Sequence, residues 1–407
     1  GINDAVASIN VEAGGSVYVR SEPEQPAELY ADADDGVNNS ATVDIVAGED
    51  VQVRARHDAR IEADASDGET AQANINIEAG GKVVARADDG GDADIDAEAW
   101  DAANNTATVD ISAGEYVKVK GVGEDSDVDI EADARYGSVS NTASLTVTAT
   151  GIEGNESDRN GDILIIGEDG GDAEMEARAD GGEAQTAVNV VDVSLDAGQD
   201  VRVTSYGSAA DAELDSRANH GNSNTAEMSI AAGKNVEVLA EADGESEITV
   251  EASQASADNT AQLDIEAQGQ ALFEAVDNGE VDVRVESFFG QNNRAAMTIN
   301  SGQELSALAG SSSDVDIDVA ALDAELDNEA VLNIQAGGEV LLGAADDSEV
   351  DVGASADGGQ NNRAAVAVSS QDDVKVLSED YGIADIDAEA GFAENSNIAE
   401  VEITAGD

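Results

Sequence analysis

The chain has 407 residues, and 89 acids against 18 bases give it a formal net charge of −71. That balance argues against nucleic acid as a partner, and the absence of cysteine excludes a disulfide framework or a thiolate metal site. Aromatics are 3%, so any core has to be built from Ala, Val, Ile and Leu, whose strict two-residue spacing argues against the disorder such a charge would otherwise suggest.

In chain order, the leading signal is an Asn nine residues ahead of an Ala-Gly-type corner. Frames with both features run Asn39 to Gly48, Asn105 to Gly114, Asn189 to Gly198, Asn224 to Gly233, Asn293 to Gly302, Asn328 to Gly337 and Asn397 to Gly406. Asn141 to Thr150, Asn259 to Gln268 and Asn362 to Gln371 keep the Asn and change the corner. Ala5 to Gly14 and Ala71 to Gly80 keep the Gly and lose the Asn. The frames lie about 36 residues apart on average, a period that signals a solenoid or an array.

The unit from Asn105 to Ser140 reads as three short strands. The first puts Ala107, Val109, Ile111 and Ala113 on one face, and the second alternates Val117 and Val119 with Tyr116, Lys118 and Lys120. After a loop over 121–126, the third alternates Val128, Ile130, Ala132 and Ala134 with Asp127, Asp129, Glu131 and Asp133. Period two in each run predicts half-buried strands and no helix. Three strands and a corner per repeat predict one coil of a parallel β-helix, so the expected fold is all-β: a single solenoid of about 11 coils.

Counting inward by twos places the frame asparagines on the core face at the corner. Stacked coil on coil, Asn39, Asn105, Asn141, Asn189, Asn224, Asn259, Asn293, Asn328, Asn362 and Asn397 are expected to form a ladder. A buried carboxamide is costly alone and favourable when the next coil supplies its partner. This is a structural motif and not an active site.

The third strand carries the charge, with acids at its outward positions in nearly every coil. In a parallel stack such columns have neighbours about 4.8 Å apart, and two unit charges there repel by roughly 1 kcal/mol in water and about 3 at an effective dielectric of 20. Eleven coils make a rod of roughly 55 Å, and its linear charge density is about twice that of duplex DNA. Two outcomes are open: a solvated acidic face in salty surroundings, or divalent cations bridging carboxylates. Oxygen-only ladders suit Ca2+ better than Mg2+. The candidate ligands are Asp92, Asp94, Asp96, Asp127, Asp129, Glu131, Asp314, Asp316 and Asp318.

The longest interval, Thr150 to Gly198, contains a polar excursion that reads as a loop insertion over 151–170. Asn38, Asn104 and Asn155 each open a glycosylation sequon. Trp100, Phe288, Phe289 and Phe392 fall at the ends of third strands and are expected to plug corners. His57 and His220 lie too far apart in sequence frames to form a pair. No run of eighteen apolar residues occurs, so no membrane-spanning segment is expected.

The stretch Ile75-Asn76-Ile77-Glu78-Ala79-Gly80-Gly81-Lys82-Val83-Val84-Ala85 resembles the repeats of large filamentous-haemagglutinin-type surface adhesins, as do Ile9 to Val19 and Leu332 to Leu342. The resemblance implies a right-handed β-helical stalk. The repeat is longer here and far more acidic. Residues 1–407 are therefore expected to be one continuous array, part of a longer chain or filament. Its expected role is a non-catalytic structural rod of an extracellular filament, sheath or adhesin stalk at the cell surface. It would be stabilised by cations and associate end to end. The alternatives are a calcium-dependent adhesin or matrix-binding module and, more distantly, a polysaccharide-degrading β-helix enzyme.

Overall fold

A computed structural model describes residues 4–23, 25–151, 160–182, 186–379, 381–392 and 395–406. The three short strands of each coil assemble into three parallel sheets of 12, 11 and 11 strands, and every strand pairs with its counterpart one coil away. Asn104–Ala113, for example, lies between Thr70–Ala79 and Ser140–Ala149, matched residue for residue. Among the described residues there is no α-helix. The chain is a parallel β-solenoid of about 11 coils.

Alternation fills the tube. Ala107, Val109, Ile111, Ala113, Val117, Val119, Val128, Ile130, Ala132 and Ala134 are all buried, and the same parity holds from coil to coil. Three inward faces converge on one narrow axis, so small and β-branched side chains suffice and large ones are rare. Phe273, on the second sheet, is the largest fully buried side chain. At the first corner, adjacent coils approach closely. A Cβ on Gly114 would overlap the Gly80 carbonyl oxygen one coil below.

Two expectations change in detail. The second strand runs Val117–Val122, into the stretch read as a loop. The excursion over 151–170 also ends earlier, because Ile163–Glu168 is a strand paired with Val117–Val122 on one side and Val201–Tyr206 on the other. Residues 152–159, Asn155 among them, lie outside the described residues.

The corner aromatics do not plug corners. Trp100 and Phe288 sit at outward parity on the third sheet, and Phe289 and Phe392 take left-handed backbone angles in the turn that follows. Both placements direct the ring outward. Phe289 is 53% and Phe392 88% exposed. Phe288 meets Phe289 edge to face at 5.3 Å, and Trp100 Nε1 donates to Asp64 Oδ1 at 2.8 Å. Asp67, Asp101 and Asp323 hold left-handed angles at equivalent turns, a conformation that Asp tolerates better than most residues.

Candidate cation-binding face

In most coils an asparagine at the head of the first strand faces the core, where it fixes how coils stack. From Asn105 to Asn362 the carboxamides form one chain of hydrogen bonds. Asn105 Nδ2 donates to Asn141 Oδ1 at 3.0 Å, and the links continue through Asn189 at 2.8 Å, Asn224 at 2.9 Å and Asn259 at 3.1 Å. Asn293, Asn328 and Asn362 extend it at 3.1, 3.3 and 3.1 Å. Most of these Nδ2 groups also donate to the carbonyl that ends a third-sheet strand, as Asn105 does to Arg135 and Asn259 to Phe288. Asn39 stands apart, since its partner in register on the far side is Ala71 and its Oδ1 is buried without a hydrogen bond. Asn397, in the last strand, is exposed.

With register fixed at the corner, the outward residues of the third sheet fall into columns. Asp92 lies across from Asp127, and Asp96 from Glu131. Asp129 is paired with Glu174. Asp314 lies between Glu280 and Glu349, and Asp316 between Asp282 and Asp351. The columns are not purely acidic. Arg60 abuts Asp94 at 2.8 Å, Arg135 abuts Asp133 at 2.6 Å and Glu98 at 3.7 Å, and Arg217 pairs with Asp215 and reaches Glu176 at 3.8 Å. Arg284 holds Asp282 and is the register neighbour of Asp318. Sequence reading that followed only the acids passed over these arginines. The signal was present as a recurring Glu-x-acid-x-Arg run at Glu131–Arg135, Glu174–Arg178, Glu213–Arg217 and Glu280–Arg284.

Nor is this a fully solvated face. Stacked between neighbouring coils, Asp94, Asp133, Asp215 and Asp282 are buried. Burial is the leading cause of raised carboxyl pKa values here, with neighbouring carboxylates adding to it. Desolvation pushes Asp94 up to about 7 although Arg60 acts in the opposite sense. Glu213 and Asp282 rise to about 7, and Glu174 and Asp215 to about 8, for the same leading reason. Asp96, Asp129 and Asp133 are raised as well. At pH 7 the folded rod therefore carries a net charge smaller in magnitude than its formal −71.

Among the described residues, two groups of three carboxylates each bring one oxygen per residue within 4.8 Å of one another: Glu174, Glu213 and Asp215, and Glu245, Glu280 and Asp282. None of the nine ligand candidates from the sequence belongs to either group. Among them, Asp94 already pairs with Arg60, and Asp318 has Arg284 as a register neighbour. Asp318 instead leans toward the next acid in its column. A Cβ on the intervening Gly353 would lie 2.9 Å from Asp318 Oδ1 and 2.8 Å from Asp387 Oδ1.

Of the sequons, Asn38 and Asn104 lie on strands rather than loops. Asn38 Nδ2 donates to Asp4 Oδ1 at 2.7 Å, and Asn104 Nδ2 to the Glu69 carbonyl at 3.2 Å. The second sheet carries a different charge pattern. Arg20, Arg54, Arg86 and Lys120 follow one another in one column, where Arg86 pairs with Asp88 at 2.5 Å and Lys120 with Glu168. Among the described residues no helix is long and apolar enough to cross a membrane. No protein-family profile, curated protein or solved structure matches the chain.

Proposed function

We propose that this chain is a structural rod, a stiff extracellular spacer in a filament, sheath or adhesin stalk at the cell surface, stabilised by cations along its acidic sheet. The observation that carries the reading is the unbroken parallel pairing of all three sheets from the first described coil to the last. A tube of this kind transmits position along its axis and leaves every outward column repeating at one spacing. The rod is taken to be non-catalytic. A polysaccharide-degrading β-helix gathers acid, base and substrate-binding cations in one cleft, whereas here carboxylates recur coil after coil. The acidic triads favour, as a second reading, a calcium-dependent adhesin or matrix-binding module.

End-to-end association fits the terminal coils. Ala5, Ala7, Ile9 and Val11 are only partly covered at one end, and Val401 and Ile403, at inward parity, are 44% and 50% exposed at the other. A further coil, from a second copy or from more of the same chain, would cover them and pair the free strand edges. Negative-stain electron microscopy of the purified chain is expected to show rods of roughly 55 Å per copy, joined into multiples of that length. Compact particles would overturn the rod, and isolated single rods at every concentration would overturn end-to-end association.

A further inference from the structure

We propose that Glu174, Glu213 and Asp215, and separately Glu245, Glu280 and Asp282, are two built sites for a calcium-class divalent cation. The inference gives residues to the cation stabilisation proposed above and does not depend on filament formation. The two sites share one plan. A glutamate on one coil (Glu174 or Glu245) faces its register partner on the next (Glu213 or Glu280), and the third ligand stands two residues further along that strand. That third ligand is a buried aspartate, 0% exposed at Asp215 and 1% at Asp282. In each, Oδ2 is held by the arginine two residues on, Arg217 or Arg284. In each, Oδ1 is buried with no hydrogen-bond partner.

An orphaned carboxylate oxygen inside a protein is unfavourable unless a proton or a cation meets it. The surroundings suit the cation. Two oxygens bound to one Ca2+ at about 2.4 Å can be no more than about 4.8 Å apart, and each triad satisfies that limit. Three carboxylates and one guanidinium sum to a charge of −2, which a divalent ion cancels. The arginine clamp fixes the aspartate without occupying its second oxygen. Three protein carboxylates with water completing the shell suit the flexible oxygen coordination of Ca2+ better than Mg2+, which dehydrates reluctantly and is usually held through one or two carboxylates. The first site is the more enclosed, since Glu174 and Glu213 are half-buried while Glu280 is exposed.

Isothermal titration of the intact chain with CaCl2 at pH 8 and fixed ionic strength tests this. The expected result is a saturable phase with Kd of about 10⁻⁴–10⁻³ M, distinct from diffuse counterion uptake. Asp215→Asn and Asp282→Asn are each expected to remove one equivalent, and Asp110→Asn, an exposed first-sheet acid, to remove none. Glu213→Gln and Glu280→Gln should reproduce those losses if either Asp variant folds poorly by circular dichroism. Absence of a saturable phase, or its survival in the Asp215→Asn/Asp282→Asn double variant, would overturn the sites. The general cation reading would still stand if Ca2+ raised the melting temperature of that double variant as much as that of the parent, and it would fall if Ca2+ left the parent's melting temperature unchanged.

Discussion

At Asn224 a single carboxamide accepts from Asn189 at 2.9 Å, donates to Asn259 at 3.1 Å and donates to the Ser253 carbonyl. Asn224→Ala leaves those three buried groups without their partner. With an unsatisfied buried group costing about 1–3 kcal/mol, the expected loss is about 3–5 kcal/mol, measurable as a lower urea midpoint. The reverse change is available at Ala71, which is buried between Asn39 and Asn105 in register. In the direction the ladder runs, Ala71→Asn would accept from Asn39 Nδ2 and donate to Asn105 Oδ1, and it is expected to raise stability by about 1 kcal/mol. A lower melting temperature for this variant would mean the corner has no room for the missing rung. This motif was legible because one residue type sits at one offset with no competing use.

The third sheet is where an element's behaviour departs from the sum of its residues. An unfolded Asp or Glu titrates near pH 4, whereas folded Asp318 and Asp351 are pushed up to about 6, Glu213 and Asp282 to about 7, and Glu174 and Asp215 to about 8. The folded state then binds more protons than the unfolded one, so the slope of stability against pH is negative. Stability is fully present below about pH 4 and is lost as pH rises through about 6 to 8. In chelator and low salt, the melting temperature at pH 9 is expected to lie below that at pH 5 by on the order of 10 °C. A profile that instead falls toward acid would contradict the burial of these carboxyls. Strand parity, and with it which acids point outward, was readable from alternation alone. Which of them lose water was not, because the neighbours of Asp215 in the stack, Glu176 and Thr249, lie far off in the sequence and are set beside it only by register. The outward rings of Trp100 and Phe288 follow from that same parity, which the expectation of corner plugs did not apply.

On the scale of the whole molecule, each coil contacts chiefly the coils on either side, so stability is close to a sum of coil terms and nearest-neighbour interfaces. Carboxylate columns about 4.8 Å apart oppose every interface at once. Screening at that range strengthens as the Debye length shrinks from about 10 Å at 0.1 M to about 3 Å at 1 M salt. Raising NaCl from 0.05 to 1 M is therefore expected to increase the melting temperature, more at pH 9 than at pH 5. A flat or falling response would mean that the arginines already neutralise the columns. The fold followed from period and alternation because a solenoid repeats one local decision many times. The triads did not, because they need three coordinates that only stacking supplies.

Ala71 has a mechanical meaning for a rod of this construction. Under tension along its axis the coils act as links in series, and such a chain parts at its weakest joint rather than at its average one. Eight asparagines brace the joints from Asn105 to Asn362, and the joints on either side of Ala71 lack that buried amide link, leaving surface contacts such as Arg60 with Asp94 and Arg135 with Glu98 beside the sheet hydrogen bonds and apolar packing. Pulled along its axis, the rod is expected to part first at a joint without that link, such as those beside Ala71, at a lower force than the braced joints between Asn105 and Asn362.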